Sequence, residues 1–222
     1  MRYLFGKQVL ETDEEVLDPR QTALVVVDMQ NDFAHPDGHF ARSGANVEPV
    51  IAIIPTIATI VDAARAHEVL VVWVQQTTLP DGRSDSPAWL AFKTRRGADF
   101  DTAYTLEGSW GQRLVQPLAT LPADPIVKKF RSSAFTHTTL DAILRNNGIA
   151  TVVACGCMTE GCLESTARDA AFHDYYVVVI EDAVASNTPS LHEASLSVMQ
   201  SQFPVRRAAE IAAIWAAAAV AA

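Results

Sequence analysis

The stretch ALVVVD, residues 23–28, carries the strongest information about the fold of this chain. Its apolar residues form a continuous run rather than an alternating pattern, which is typical of a strand covered on both faces. Similar short runs, rich in residues that favour strands, recur at 69–74, 126–130, 151–155 and 176–180, with a weaker one at 204–207. These runs predict a central sheet of about six strands.

Between the strands lie segments whose apolar residues recur with helical spacing. The candidates are residues 47–67, 110–118, 138–145, 160–173, 190–202 and 208–222. Pro55 predicts a kink or a start within the first of them, and Asn147-Gly148 predicts the end of the third. Strands that alternate with helices are joined by crossovers. The sequence therefore predicts an α/β fold, a three-layer α/β/α, Rossmann-like parallel sheet with helices on both faces.

The length of 222 residues fits one domain with small additions. We expect residues 1–20 to form an N-terminal arm and residues 21–222 to form the domain. Residues 77–109 are polar and irregular, with several prolines and glycines. A long loop of this kind in a compact fold often serves as a lid or a binding loop.

The charge balance argues against some classes of partner. Aspartate and glutamate number 26 while lysine and arginine number 17, which gives a net charge of −9. Nucleic acids and anionic membranes both attract a positive surface, so neither is expected as a partner. The longest apolar run, residues 211–222, is shorter than the roughly 20 residues that span a bilayer, so no membrane span is expected. Because this run is apolar around a whole helix, Trp215 should pack against its own domain or another subunit.

Two features favour a reducing, cytoplasmic location. Residues 1–20 turn acidic without an apolar segment, so no signal peptide is expected. The three cysteines, Cys155, Cys157 and Cys162, lie within eight residues of one another, which is a poor disulfide framework.

Polar side chains at the carboxyl ends of the strands are the first candidates for function, because ligands of such sheets bind there. Asp28 ends the first apolar run and could serve as a base or simply cap a loop. Lys128 and Lys129 lie within the run at 126–130, and strand alternation allows only one of them to point into a site. The alternative is that both lysines are solvated charges at a sheet edge.

Cys162 lies where the fourth strand turns into a helix. A helix start can lower the pKa of a thiol, and its free backbone amides can stabilise an oxyanion. Two other interpretations stay open. The cysteines could be small core residues, or the Cys-x-Cys-x4-Cys pattern could bind zinc, although it lacks a recognisable fourth ligand.

Three segments together resemble the isochorismatase-like cysteine hydrolase family. They are ALVVVDMQNDFAHPDG at 23–38, VKKFRSSAF at 127–135 and ACGCMTEGCLESTARDAAFHDYYVVVIEDAVAS at 154–186. The resemblance extends from about residue 20 to 205. LEGSWGQRLV and KKFRSSAFTHTTLDAILRNNGI are most similar to the ureidoacrylate and biuret amidohydrolase branch of the family.

The resemblance implies a role for each matching residue. Asp28 would be the general base, Lys129 its charged partner and Cys162 the nucleophile. A cis peptide would join Cys157 to Met158, and the backbone N–H groups of Met158 and Cys162 would form the oxyanion hole. The side chains expected to bind substrate are Gln30, Gln75, Gln76 and Arg131.

The activity implied by the resemblance is hydrolysis of a small amide, carbamoyl or ureido compound through a thioester, with release of ammonia or an amine. One alternative is vinyl-ether hydrolysis, in which Asp28 protonates the substrate and Cys162 takes no part. Another is a non-catalytic binding protein. No metal or other cofactor is expected, because residues 73–89 lack the Asp-x-His of the nicotinamidase branch. The resemblance also implies a homodimer or homotetramer.

Overall fold

The computed structural model describes residues 2–96 and 102–220 of the chain. Its strands are β1 (Arg2–Leu4), β2 (Lys7–Val9), β3 (Thr22–Val27), β4 (Leu70–Gln76), β5 (Ile126–Lys129), β6 (Thr151–Cys157), β7 (Tyr176–Ala185) and β8 (Val205–Arg206). Strands β3 to β8 form one parallel sheet in the order β5-β4-β3-β6-β7-β8. The predicted six-stranded parallel sheet is therefore confirmed.

Helices cover both faces of this sheet. They are α1 (Asp13–Val16), α2 (Asn31–Ala34), α3 (His39–Arg42), α4 (Glu48–Ala52), α5 (Ile54–Ala66), α6 (Pro87–Lys93), α7 (Leu140–Asn146), α8 (Glu164–Phe172), α9 (Pro189–Gln200) and α10 (Ala208–Val220). As predicted, Pro55 lies in the first turn of α5, and α7 ends just before Asn147-Gly148. The predicted three-layer α/β/α arrangement is confirmed.

Strand β3 shows why the layers form, because every one of its residues is buried. Successive side chains point to opposite faces. Leu24 and Val26 belong to a core cluster with residues of α5 and α10. Val25 and Val27 belong to a second cluster with residues of α7 and α8. A strand between two apolar layers has to be apolar at every position, and this explains the unbroken run in the sequence.

The predicted helix at residues 110–118 is wrong. These residues form turns, and their backbone groups pair with the segment that follows β3. Asn31 N donates to Arg113 O at 2.9 Å, and Val115 N donates to Met29 O at 3.0 Å. Tertiary hydrogen bonds thus replace the helical ones that the apolar spacing suggested.

The segment 77–109 is less irregular than its composition suggested. It contains helix α6, whose first turn carries Pro87 and whose preceding residue, Ser86, accepts a hydrogen bond from Trp89 N. A serine cap followed by proline is a common helix start. Residues 97–101 of this segment lie outside the described part of the chain.

Parts of the segments at both ends of the described chain pack on the domain. β1 and β2 form an exposed antiparallel hairpin, whereas Val16 and Leu17 are buried in the core. In α10, Ile211 and Trp215 are fully buried against their own domain, but alanines on the opposite face are exposed. The prediction that Trp215 packs against its own domain or another subunit is therefore confirmed for its own domain.

Residues 48–66 pass the length and composition test for a membrane span, which the count of uninterrupted apolar residues did not reveal. Helix α5, within this stretch, buries Ile57, Ile60 and Ala64 in the core. Packing against the sheet accounts for its apolar composition.

Candidate active site

Three neighbouring strand ends bring Asp28, Gln76 and Lys129 to one edge of the sheet. Asp28 directly follows β3, and Gln76 and Lys129 are paired in register at the ends of β4 and β5. The chain approaches this edge closely at Gly156, where an added Cβ would lie 2.1 Å from Val27 O. Only glycine fits there, so β6 can deliver the turn that carries Cys162 next to Asp28.

Lys129 is the centre of the polar cluster. Its Nζ lies 2.8 Å from Asp28 Oδ2 and donates to Gln76 Oε1 at 2.9 Å and to Cys162 Sγ at 3.1 Å. The side chain of Lys129 is 0% exposed and that of Asp28 is 1% exposed. A buried ammonium is tolerated only with such partners, because its removal from water is costly.

The protonation of the cluster follows from burial and from the neighbouring charges. Burial and the Asp28 charge raise the pKa of Cys162 to about 12, although Lys129 acts in the opposite direction. Burial alone would lower the pKa of Lys129, but Asp28 and Cys162 outweigh it and the net direction is upward. The resting pair is therefore an ammonium and a thiol. A helix start can lower the pKa of a thiol, but desolvation has the larger effect on Cys162 and the net direction is upward.

Cys162 lies in a tight turn between β6 and α8. The peptide bond between Cys157 and Met158 is cis, and residues Thr159–Leu163 form a π-helical turn. Gly161 N and Leu163 N both donate to Met158 O, at 3.0 and 3.2 Å. The turn leaves Cys162 half-buried with its sulfur beside a cavity, whereas Cys155 and Cys157 are buried in the core.

A cavity of about 300 Å³ opens in front of this turn. Beside the polar cluster it is lined by Gln76, Ser132, Met158, Glu160, Gly161 and Cys162. An aromatic wall of the same cavity is formed by Phe33, Phe40, Trp89, Phe92 and Tyr104, and Lys93, Arg95 and Leu191 also line the cavity. The arrangement places a thiol, an ammonium and a carboxylate at the end of a largely aromatic pocket.

A second buried ion pair lies in the aromatic wall. Lys93 Nζ lies 2.8 Å from Asp85 Oδ2, and the two side chains are 0% and 3% exposed. The same Nζ lies 4.8 Å from the centre of the Tyr104 ring. The hydrogen bonds of this lysine go to Thr78, Asp85 and Thr102, so its partners belong to residues 78–104 and not to the nucleophile turn.

The four side chains expected to bind substrate have different positions. Gln76 lines the cavity, as a binding residue should. The assignment of Gln75 is wrong, because strand alternation points it to the other face of β4, where it lines a separate cavity with Ile126. Gln30 is a brace and not a binding residue. It is fully buried, and its Nε2 donates to Gln76 O and to Gln112 O at 2.9 and 2.8 Å.

The assignment of Arg131 to substrate binding is also corrected. Its guanidinium lies 5.0 Å from the centre of the Trp89 ring, and Nη1 donates to Ser84 O at 3.0 Å. Arg131 therefore supports a wall of the cavity from outside it. Its carbonyl oxygen accepts from Lys129 Nζ at 3.1 Å, so its backbone helps to hold the ammonium.

Known proteins are similar to this chain in sequence and in architecture. The family model for the isochorismatase domain matches residues 22–210, which is most of the chain. The chain belongs to the isochorismatase family. A curated relative, ureidoacrylate amidohydrolase RutB of Methylobacterium radiotolerans, is 39% identical over 196 residues, covering 84% of this chain and 76% of that protein. The family predicted from the sequence motifs is thus confirmed.

Solved structures of related hydrolases resemble most of this chain in fold. A cysteine hydrolase from Pseudomonas syringae pv. phaseolicola has a TM-score of 0.79 at 26% identity, covering 90% of this chain and 94% of its own. N-carbamoylsarcosine amidase from Thermoplasma acidophilum has a TM-score of 0.68 at 28% identity, covering 85% and 96%.

Within residues 2–96 and 102–220, no group of three or more His, Cys, Asp or Glu side chains is arranged to hold a metal ion. Cys155 packs in the core and Cys162 faces the cavity, so the three sulfurs do not converge as a zinc site requires. Independence from metals stays a prediction.

The aromatic wall is what the sequence motifs missed. A signal was present for part of it, since Trp89, Phe92 and Lys93 follow Ser86-Pro87 with i, i+3 and i+4 spacing. No local pattern marks Phe33, Phe40 or Tyr104. The centres of their rings lie 5.0 to 5.8 Å apart, and this is so only because the fold brings α2, α3 and Tyr104 together.

Proposed function

We propose that this protein is a cysteine-dependent amidohydrolase that cleaves a C–N bond of a small amide, carbamoyl or ureido substrate. The observation that carries the proposal is the 3.1 Å contact between Lys129 Nζ and Cys162 Sγ at the end of a cavity, beside a buried carboxylate. Relatives at 28–39% identity are named as amidohydrolases or amidases, and their names indicate bonds of this class.

The first step is activation of the thiol. Burial raises the pKa of Cys162 to about 12, so little free thiolate exists at neutral pH. We assign the proton to Asp28, which accepts it as the sulfur attacks the substrate carbonyl. The ammonium of Lys129 stays next to the sulfur and compensates the negative charge that develops there.

The attack forms an S–C bond and places negative charge on the carbonyl oxygen. We assign that oxygen to the backbone N–H groups of Met158 and Cys162, because both residues line the cavity at a helix start. The tetrahedral intermediate then collapses, the C–N bond breaks, and Asp28 returns its proton to the departing nitrogen.

Hydrolysis of the thioester completes the cycle. Asp28 removes a proton from water, the hydroxide attacks the thioester carbon, and the S–C bond breaks. The thiol of Cys162 regains the proton, and the acid formed from the substrate leaves. One carboxylate thus serves both half-reactions, which requires that it stay close to the sulfur.

Two alternatives explain less of the geometry. Vinyl-ether hydrolysis needs Asp28 as an acid but gives Cys162 and its contact with Lys129 no role. A binding protein has no need for a fully buried ammonium next to Cys162. Burying such a charge costs stability unless it is paired.

The experiment is a panel of small amides, carbamoyl compounds and ureides, including ureidoacrylate and N-carbamoylsarcosine, assayed for release of ammonia or amine. Wild-type protein should release nitrogen from at least one class, and Cys162→Ser should not. A vinyl-ether substrate belongs in the same panel. Its cleavage by both wild type and Cys162→Ser, without nitrogen release from any compound, would contradict the proposal.

A further inference from the structure

One carboxylate that lines the cavity has no cation beside it. Glu160 borders the cavity together with Met158, Gly161 and Cys162 of the same turn. Its Oε1 accepts a hydrogen bond from Ser186 Oγ at 2.9 Å. Its Oε2 is buried, and in the described part of the chain this atom has no hydrogen-bond partner. A buried carboxylate oxygen without a donor is costly, so its presence needs an explanation.

A second glutamate, four residues further along the chain, shows what a structural role requires. Glu164 Oε1 lies 2.7 Å from Arg168 Nη2, and Glu164 Oε2 accepts a hydrogen bond from Ser195 Oγ. Both oxygens of Glu164 are therefore bound within the protein. For Glu160, by contrast, neither a cation nor a backbone N–H group among the described residues contacts the carboxylate. Neither an ion pair nor a helix cap thus accounts for Glu160.

The other charged groups near the cavity do not balance this carboxylate. Lys93 and Lys129 are each paired with a buried aspartate at 2.8 Å. Arg95 lines the cavity as well, but its guanidinium contacts the Phe92 ring, 5.9 Å from the ring centre, and not Glu160. A group that enters the cavity with N–H donors can supply the hydrogen bond that Glu160 lacks, and such a bond is stronger when the acceptor is charged.

We propose that Glu160 is a specificity-determining residue that accepts a hydrogen bond from an N–H-bearing group of the substrate, close to the carbonyl that Cys162 attacks. The two residues are two positions apart in one turn and line the same cavity, so the N–H group lies within a few bonds of that carbonyl. The inference rests on the proposed function. It narrows the substrate class from any small amide to amides with a further N–H group near the scissile bond, such as ureides and carbamoyl compounds.

Two thiol reagents of similar size test this role without a known substrate. Aminoethyl methanethiosulfonate and propyl methanethiosulfonate differ only in that an ammonium group replaces a methyl group. With either reagent, Cys162 Sγ loses its proton to solvent and forms a disulfide, and methanesulfinate leaves. The measured quantity is the ratio of the two second-order rates, with the ammonium reagent as numerator. Intact-protein mass spectrometry, with Cys162→Ser as the blank, assigns the reaction to Cys162.

Glu160→Gln should lower this ratio by about tenfold, which is the order of one charge-assisted hydrogen bond in a partly buried site. A change in the thiolate fraction of Cys162 affects both reagents equally, so it cancels in the ratio. Glu193→Gln is the matched control, because it removes one negative charge from an exposed position of α9. This control should keep the wild-type ratio. If Glu160→Gln does not fold, Glu160→Ala replaces it and should give the same loss.

Two results would each overturn the inference. One is an unchanged ratio in a folded variant of Glu160, which would mean that the carboxylate does not reach a group bound beside Cys162. The other is an equal fall in Glu193→Gln, which would show that only the net charge of the protein matters. Failure of the proposed function gives a different result, in which the ratio depends on Glu160 but no compound of the amide panel is hydrolysed.

Discussion

Two buried lysine–aspartate pairs line or adjoin the same cavity, and their N–O distances are both 2.8 Å. The ammonium of Lys129 also contacts Cys162 Sγ, whereas that of Lys93 also contacts a threonine hydroxyl and a backbone carbonyl. The two pairs are thus alike in length and burial. What distinguishes them is the sulfur atom that the ammonium of Lys129 contacts.

The pairs also differ in how the fold builds them. Asp28 and Lys129 lie at the ends of β3 and β5, two parallel strands on either side of β4, so the sheet sets their separation. Asp85 and Lys93 lie eight residues apart in one segment, and a short helix with its preceding turn brings them together. The sheet therefore fixes the position of the first pair. The position of the second pair depends on the stability of the short segment that contains Asp85 and Lys93. Changes to each pair should therefore affect different quantities.

The largest effect should come from the sulfur that only the first pair touches. Cys162→Ser should lower kcat/KM on the order of 10⁴-fold or more, because a nucleophile has no substitute in this site. Cys155→Ser is the control, since Cys155 lies in the core and should affect mainly stability. Intact-protein mass spectrometry with an electrophilic inhibitor should show one adduct, at Cys162. Labelling confined to Cys155 or Cys157 would contradict the assignment.

Removal of the first ammonium should come next. Lys129→Ala leaves Asp28 and the developing thiolate without a compensating charge in a site shielded from water. We expect a loss on the order of 10²-fold or more in kcat/KM. Circular dichroism should show that the variant is folded. Activity within a few-fold of wild type would mean that the buried pair serves stability alone, like its counterpart in the wall.

Removal of the ammonium of Lys93 should affect the free energy of unfolding more than it affects kcat. Lys93→Met leaves Asp85 buried without its partner, and breaking a buried pair in this way costs about 3–5 kcal/mol of stability. The free energy of unfolding, measured with urea, should fall by that order, while kcat for a small substrate should change far less than in Lys129→Ala. A loss of kcat equal to that of Lys129→Ala would remove the distinction between the pairs.

A smaller effect concerns the stability of the protein at alkaline pH, which depends on the thiol of Cys162. Burial raises the pKa of Cys162 from 9.0 to about 12 in the folded protein. Between these values the folded protein keeps a proton that the unfolded chain loses, so this contribution is present below pH 9.0 and is lost as the pH rises toward 12.

Cys162→Ser lacks this proton. Its free energy of unfolding should therefore fall less steeply with pH than that of wild type, by up to ~1.4 kcal/mol per pH unit above about pH 9. Urea unfolding at several alkaline pH values measures both slopes, and the other buried thiols contribute equally to each. Equal slopes would show that the sulfur is better solvated than its burial implies.

The pair beside Cys162 could be predicted from the sequence, whereas the pair in the aromatic wall could not. The unbroken apolar runs specified the parallel sheet, and the chain motifs specified Asp28, Lys129 and Cys162, because strand ends place such residues together. Gln75 shows the limit of that logic, since its neighbour Gln76 occupies the inward position and alternation sends Gln75 outward. The ion pair of Lys93 was not predicted, because no local sequence pattern indicates that Thr78 and Thr102 both contact its ammonium.

The smallest effect concerns Lys128, which forms a third lysine–carboxylate pair with the same 2.8 Å distance, to Glu107. Its side chain is 48% exposed, so water screens the pair, and such pairs contribute roughly 0–1 kcal/mol. Lys128→Ala should therefore change kcat/KM by no more than about twofold and stability by less than about 1 kcal/mol. Lys128 and Lys129 are adjacent on β5 and point to opposite faces, so measuring both variants side by side tests the register of the strand. An inactive Lys128→Ala with a nearly normal Lys129→Ala would place the strand one residue out of register. Lys128, and not Lys129, would then be the lysine that faces Asp28 and Cys162.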